Sequence, residues 1–458
     1  MSIEVKFFPQ YRHLSSDGRS SILLDVPTTR LLELDHISAT IVEEALIWGS
    51  WSKPMVESAR KLLIYRQFSN YDIDQAFELI NTLRGAGLFR ERDLFGSVEG
   101  SYQELNGLIL SVSQTCQLKC AYCFAKGGNF GDEQLPSIMS SGVGRQAVDL
   151  LFNNCGQNNN RLYIAFFGGE PLINWALVKE LTCYAEEKAS SAGKNVSFSM
   201  TTNACLVDDE MVDFISSHKI DIMVSLDGEE HIHDKLRPHK SESTSSYEKT
   251  LAGVKALRAK INNISGNATI TVINNDLEEV YSHLTEIGFT RIGMDMVSGS
   301  ADKSLEFDHL HLSMHTQELV GLIVDGKVPL LANAPRLDER RSNRLYYCGF
   351  SRGSVTVDSI GRLYSCPRLV CVEKYQVGHV DAGYDSKKIQ HLRSSIMIDN
   401  KLGCRTCWLR YLCGGGCPAE SEESQGGIGS PYSQGCYRYQ HLLEASVENY
   451  LISIRSNS

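Results

Sequence analysis

Between Gly107 and about Ser298 short apolar runs alternate with amphipathic stretches of helical period. The runs are Leu108–Val112, Leu162–Phe167, Val196–Met200, Ile220–Ser225, Ala268–Ile273 and Arg291–Val297. This alternation predicts parallel strands joined by crossover helices, hence an α/β fold. Six such units predict an incomplete (β/α)6 barrel, TIM-like, whose reactive groups sit on the loops after the strands. The first hundred residues follow a different pattern. Strand-like stretches Val5–Phe8 and Ile22–Val26 flank a turn at Ser16-Asp17-Gly18, and helical segments follow. The last of these has Ile73, Phe77, Ile80 and Leu83 on one face, Asn70 as the expected N-cap, and Gly85 and Gly87 closing it. The expectation is a winged-helix-like α+β domain over 1–100, a barrel over 104–325 and a cysteine-rich part over 340–445. Segment 299–342, polar and then helical, with a loop around Asn333-Ala334-Pro335, bridges the last two.

Composition narrows the partners. With 42% hydrophobic and 22% charged residues in 458, the chain has the balance of an ordinary folded protein, long enough for two or three domains. A net charge of −10 argues against nucleic acid or an anionic membrane as the main ligand, since both reward a basic surface. No Lys/Arg cluster marks a recognition helix in the first domain, so peptide binding is expected of it rather than DNA binding; a cap that only packs on the barrel is the alternative. The first thirty residues lack the apolar core of a secretory signal, and no run approaches the length of a membrane span, so the expected location is cytoplasmic. In a reducing compartment the fourteen cysteines are expected to bind metal or take part in chemistry rather than form disulfides.

After the first barrel strand the chain reads Cys116-Gln-Leu-Lys-Cys120-Ala-Tyr-Cys123. Three thiolates on so short a loop hold three corners of a 4Fe-4S cube and leave one iron open; a zinc loop is the competing use. This spacing, with Tyr122 before the last cysteine, resembles the radical S-adenosylmethionine superfamily. The resemblance extends to the following strand ends. Gly168-Gly169-Glu170-Pro171 corresponds to the turn that receives the methionine amino group. Ser199, Thr202 and Asn203 after the third strand, and Ser225, Asp227 and Arg237 at and after the fourth, correspond to positions touching the ribose and the methionine carboxylate, with Ser225 and Arg237 the favoured carboxylate contacts. Carboxylate, hydroxyl, amide and guanidinium groups suit those partners.

Farther on the order is Cys348-x12-Gly361-x4-Cys366, then Cys404-x2-Cys407-x5-Cys413-x3-Cys417, then x18-Cys436. It resembles the SPASM domain of radical enzymes that modify peptides and proteins, and Val357-Asp358…Gly361-Arg-Leu-Tyr364-Ser-Cys366 is similar to its β-hairpin. The resemblance implies two auxiliary 4Fe-4S clusters, for three in all: an outer one on Cys404, Cys407, Cys413 and Cys436, and an inner one on Cys348, Cys366 and Cys417. Cys371 or a substrate thiolate completes the inner set; a four-cysteine zinc site over Cys404–Cys417 is the competing reading. Cys155, Cys183 and Cys205 are expected to be buried thiols. Pro367 stands where sulfatase maturases place an Asp base, which disfavours alcohol or thiol oxidation.

With a leader-binding N-terminal module, the whole resembles ribosomal-peptide maturases with a leader-recognition element. Thioether-forming maturases are the nearest type: those of small cysteine-rich peptides (SCIFF or ranthipeptide type) and of the quinohemoprotein amine dehydrogenase subunit. The implied substrate is a precursor peptide or small protein bound through its leader as an added strand, with S-adenosyl-L-methionine as cofactor and flavodoxin or ferredoxin as reductant. C–C or C–O cross-linking and backbone excision stay open, and so, in a different class, does a non-catalytic iron–sulfur or zinc redox-sensing regulator.

Overall fold

A computed structural model describes residues 10–14, 21–25, 30–87, 104–324, 327–328 and 344–442, apart from 135, 158, 242–243, 301, 352 and 406. The expected strand Val5–Phe8, the turn at Ser16-Asp17-Gly18 and the loop around Pro335 lie outside the described residues.

The N-terminal module has three antiparallel strands, β1 (Gln10–Leu14), β2 (Ser21–Asp25) and β3 (Arg30–Leu34), with β2 central. Helices α1 (His36–Trp48), α2 (Lys53–Tyr65) and α3 (Asn70–Gly85) follow. Each helix starts on a side-chain cap: Asp35 accepts from the Ser38 N–H, Ser52 from Met55, and Ser69 from Asp72, so the cap of α3 is one residue earlier than expected. Strand β2 alternates faces, as a strand must. Leu23 enters the module's own core with Ile41, Met55 and Ile80, while Leu24 turns the other way and packs with Ile398, Cys404, Leu409 and Tyr439 of the C-terminal part.

Six parallel strands carry the middle of the chain: β4 (Gly107–Ser113), β5 (Arg161–Gly168), β6 (Asn195–Thr202), β7 (Asp221–Ser225), β8 (Ile264–Ile270) and β9 (Arg291–Met296), neighbours in that order. The crossovers hold α4 (Ser141–Asn154), α5 (Trp175–Ser191), α6 (Asp209–Ser217), α7 (Glu230–Leu236), α8 (Ser246–Arg258) and α9 (Leu277–Ile287), and α10 (His309–Val324) follows β9. This is the expected partial barrel. One strand is shifted from its pattern: β8 runs from Ile264 to Ile270, pairing through Ser265-Gly266-Asn267 with β7, and Gly266 suits the place because a Cβ there would come within 2.6 Å of the Phe289 ring. A second correction concerns the thiols expected to be buried: Cys155 and Cys205 are only half-buried, and the largest departure is Cys183. It is exposed, because α5 buries Leu177, Val178, Leu181 and Ala185 and carries residue 183 on its outer face.

The C-terminal part joins the same sheet. Strand β10 (Ser354–Val357) pairs in parallel with β4, and β11 (Arg362–Tyr364), β12 (Gln376–His379) and β13 (Gly383–Tyr384) continue it antiparallel. Thr356 faces Tyr364 and Val357 faces Leu363 across the expected hairpin. Gly361, at φ +93°, makes its turn beside Val380. Short helices α11 (Ser386–Ile396), α12 (Arg410–Cys413) and α13 (Pro418–Gln425) complete the part, and one core runs unbroken from Leu108 and Phe166 to Phe350, Val355 and Leu392. Among the described residues no helix is long and apolar enough to cross a membrane.

Candidate active site

The strand ends of the barrel and the C-terminal part enclose a cavity of about 410 Å³. Cys116, Cys120 and Cys123 line one wall. Their loop is fixed by main-chain bonds to the end of α7 and the residues just after it: Lys119 N–H to Pro238 O and Ala121 N–H to Leu236 O, both 2.9 Å. Backbone donors already point at sulfur, Leu118 N at 3.4 Å from Cys116 Sγ and Gly127 N at 3.3 Å from Cys123 Sγ. As bare thiols these groups are hard to ionise. Burial pushes Cys116 up to about 11 against the pull of the Leu118 N–H, and pushes Cys120 up to about 12 against the pull of Arg237.

The Gly-Gly-Glu turn lies directly on this loop's root. Gly169 N donates to Ser113 O at 2.7 Å and Glu170 N to Thr115 O at 3.0 Å. A Cβ on Gly168 would stand 2.0 Å from Ser113 O, and one on Gly169 2.3 Å from Thr115 O, which is why both positions are glycine. Glu170 is buried and lines the cavity. Its carboxylate accepts from Thr202 Oγ1 (2.7 Å), Asn203 N (2.9 Å) and Leu172 N (3.2 Å). Burial outweighs these donors and raises its pKa to about 7.

Of the other expected cofactor contacts, Gly168, Gly169, Thr202, Asn203, Ser225 and Arg237 line the same cavity, while Pro171, Ser199 and Asp227 do not. Pro171 opens a short turn behind Glu170. Ser199 faces a second chamber lower in the barrel. Asp227 is buried behind the wall, where its carboxylate accepts from Tyr122 Oη (2.5 Å), Arg237 Nε (2.8 Å), Arg237 Nη2 (3.1 Å) and Thr269 N (2.9 Å). It therefore acts as a hub that orients Tyr122 and Arg237. Burial works most strongly against the Arg237 charge, but Asp227, Tyr122 and Cys120 together outweigh it and the pKa is raised. Asn203 is likewise engaged, accepting from Gln117 Nε2 (2.7 Å) and reaching Cys116 Sγ with Nδ2 (3.6 Å).

Across the cavity stands Cys417. The C-terminal thiols fall into two electrostatic groups. Burial raises Cys366 to about 12, with the charges of Cys417 and Cys348 adding to it. Burial also raises Cys404 to about 12, with Cys436, Cys413 and Cys407 adding and Lys401 opposing. Cys371 belongs to neither group: at φ +66° it sits by Arg362, whose Nη2 is 3.6 Å from its sulfur, with Asp358 and Asp132 nearby. Among the described residues no three His, Cys, Asp or Glu side chains converge closely enough to hold a single ion.

Several residues here had no sequence signal beyond standing near a cysteine. Buried Lys401 donates to Gly415 O at 2.8 Å among the outer thiols. Gly414, Gly415 and Gly416, all at positive φ, let the Gly415 and Gly416 N–H groups lower the Cys413 pKa against burial, which still leaves it at about 11. Arg368, Glu420 and Arg438 line the cavity. Arg368 reaches Glu423 at 2.6 Å and Ser298, and Glu420 accepts from Ser298 Oγ at 3.0 Å.

A partial barrel whose strand ends gather three thiols, a buried acid and an oriented arginine around one cavity defines an enzyme of the radical S-adenosylmethionine class. The chain belongs to that superfamily: residues 110–287 match the Radical SAM superfamily model. An uncharacterized protein of Methanocaldococcus jannaschii is 31% identical over 267 residues, 57% of this chain and 85% of that protein. The cysteine-type anaerobic sulfatase-maturating enzyme of Clostridium novyi is 25% identical over 70% of this chain and 89% of its own. The radical SAM cyclopropyl synthase TigE of Paramaledivibacter caminithermalis is 21% identical over 84% of this chain and 85% of its own. Among solved structures, anSMEcpe with bound AdoMet superposes with TM-score 0.63 at 19% identity, covering 77% of this chain and 100% of that one. SuiB of Streptococcus suis, bound to S-adenosylmethionine, superposes with TM-score 0.51 at 17% identity, covering 95% and 100%. This chain is thus a radical SAM enzyme related to peptide and protein maturases.

Proposed function

We propose that this enzyme matures a ribosomally made precursor peptide by installing a cross-link, a thioether from a cysteine sulfur to an unactivated carbon being the favoured product. The observation that carries the reading is the cavity itself, with Cys116, Cys120 and Cys123 on one wall and Cys417, in a group with Cys348 and Cys366, on the other. The donor sets fit iron–sulfur cubes: soft thiols, most of them buried or half-buried and Cys348 exposed, with backbone N–H donors or a cation beside sulfur in each set. In this reading Cys116, Cys120 and Cys123 hold the radical cluster, Cys404, Cys407, Cys413 and Cys436 an outer auxiliary cluster, and Cys348, Cys366 and Cys417 an inner one. Since Cys371 is turned toward Arg362, the inner set keeps a position for a substrate thiolate.

When bound, the radical cluster and S-adenosylmethionine supply one-electron cleavage of the sulfonium and hence an adenosyl radical that takes a substrate hydrogen atom. The chain's own residues place the cofactor. Glu170 would receive its ammonium, and Ser225 and Arg237 its carboxylate. Asp227 fixes Arg237 and Tyr122 so that this geometry is set before binding. Arg368 and Glu420 face the substrate side. A thioether replaces one C–H and one S–H by a C–S bond, so the product is two hydrogens lighter. Balance requires one hydrogen to leave on 5′-deoxyadenosine, the thiol hydrogen to leave as a proton and one electron to pass to an acceptor, a role that auxiliary clusters held by the C-terminal cysteines would supply.

A leader-binding role for residues 1–100 is supported by coverage. The SuiB superposition extends over 95% of this chain, whereas anSMEcpe covers 77%, and SuiB has also been solved bound to its precursor peptide SuiA. The name of TigE keeps C–C bond formation as a second product class. Reconstituted enzyme with a strong reductant, a peptide encoded beside its gene and S-adenosylmethionine should release 5′-deoxyadenosine and yield a peptide two hydrogens lighter. Release without any change in peptide mass contradicts the cross-linking step.

A further inference from the structure

Three arginines face the cavity, and two of them are ion-paired: Arg237 to Asp227, and Arg368 to Glu423 through Nη2, which also reaches Ser298, while its buried Nε has no partner. Arg438 differs. Among the described residues its guanidinium makes no hydrogen bond or ion pair, and its sole close neighbour of note is the Tyr439 ring, 5.5 Å from its centre. Asp295 and Glu420 are within electrostatic range of it, but neither closes to contact, and Glu420 is held by Ser298.

Arg438 also stands at a boundary. Together with Thr201, Asn267, Asp295 and Met296 it lines both the upper cavity and the lower barrel chamber, about 450 Å³, within the size range of ligand sites. That lower chamber holds a second unsatisfied group. His315, stacked on Phe307, is 5% exposed and its Nε2 has no hydrogen-bond partner. An unpaired guanidinium and an orphaned imidazole nitrogen on one continuous space mark a place built for a polar ligand group.

We propose that Arg438 is a specificity-determining residue that receives a carboxylate of the substrate peptide, either an Asp or Glu side chain near the modified residue or the chain terminus. A guanidinium takes a carboxylate through two parallel hydrogen bonds. Asp295 and Glu420 nearby favour a singly charged anion over a dianion such as phosphate. The carboxylate of S-adenosylmethionine is met by Ser225 and Arg237 on the three-thiol wall, leaving Arg438 for substrate. The inference rests on the maturase reading above.

The test uses reconstituted holoenzyme with S-adenosylmethionine and synthetic heptapeptide mixtures of the type acetyl-Gly-Gly-X-Cys-X-Gly-Gly, made both amidated and with a free C-terminus. Retained peptides are quantified by mass spectrometry. Wild type should retain peptides with X as Asp or Glu, or the free-terminus series, roughly tenfold over Asn, Gln or amidated counterparts. Arg438→Gln should lose that preference, Arg438→Lys should restore part of it, and Arg438→Glu should turn it toward Lys and Arg. S-adenosylmethionine affinity and iron content, measured on the same samples, should not follow these changes. No carboxylate preference in wild type, an unchanged preference in Arg438→Gln, or a fall in S-adenosylmethionine affinity that replaces the peptide effect overturns the proposal. Failure of wild type to cleave S-adenosylmethionine under reductant instead overturns the maturase reading, so the two failures are separable.

Discussion

On the barrel side of the cavity three thiols share one short loop, pinned by main-chain bonds to residues 236–238 and resting on the Gly168-Gly169 turn. On the opposite side Cys348, Cys366 and Cys417 come from separate segments, and the charges of Cys417 and Cys348 reach Cys366 in a part of the chain whose strand β10 has joined β4. The first wall takes all three thiols from one loop, and distant strand and helix ends only hold that loop in place. The second is a tertiary product and depends on everything that holds the C-terminal part in place, down to Leu24 of the N-terminal module.

The largest effect that would sharpen this contrast is Asp227→Asn. It leaves Arg237, only 9% exposed at its side chain, without its buried counter-charge, and should cost about 3–5 kcal/mol, read as a loss of thermal stability. It should also weaken S-adenosylmethionine binding while the C-terminal iron stays bound. Equal loss of iron from both walls would break the distinction. Leu24→Ala is the mirror case: it should cost about 2–4 kcal/mol at the junction with Cys404 and Cys413, lower auxiliary iron occupancy and leave S-adenosylmethionine cleavage intact. Limited proteolysis of the module and iron analysis check both parts.

The smallest effect is a titration confined to the barrel wall. Burial raises Glu170 to about 7, so its protonated form is the one the folded apo-protein favours. Its contribution to stability is full below about pH 4, where the unfolded carboxyl is also protonated, and falls as pH rises through 7. Binding an ammonium requires the carboxylate, so S-adenosylmethionine affinity should rise up to about tenfold per pH unit below 7 and level off above it. In Glu170→Gln isothermal titration should show weaker binding without that slope. The same slope in the variant would assign it to another group.

The contrast also explains what the sequence could disclose. The loop of Cys116, Cys120 and Cys123 stood out because its spacing is short and contiguous, whereas the Gly-Gly-Glu turn took its meaning from the family resemblance and its place after the next strand. The two thiol groups of the C-terminal part were legible only through a family resemblance, since nothing local in Cys348 points to Cys417. The start of β8 was hidden because Ser265-Gly266-Asn267 has little apolar pattern and becomes strand through pairing with β7 and β9. Cys183 was misplaced because helical phase, not residue type, decides its exposure. Lys401, Asp227 as a hub and Arg438 gain their meaning from partners, or from the lack of one, that only the folded chain supplies.

The most direct test of the central claim is iron and sulfide content with Mössbauer spectra on anaerobically prepared wild type and on the Cys116→Ala/Cys120→Ala/Cys123→Ala variant. About twelve irons falling to about eight, with S-adenosylmethionine cleavage abolished, is the result expected of one radical cluster facing two auxiliary ones. About four irons falling to none, with zinc in the C-terminal part, would contradict it.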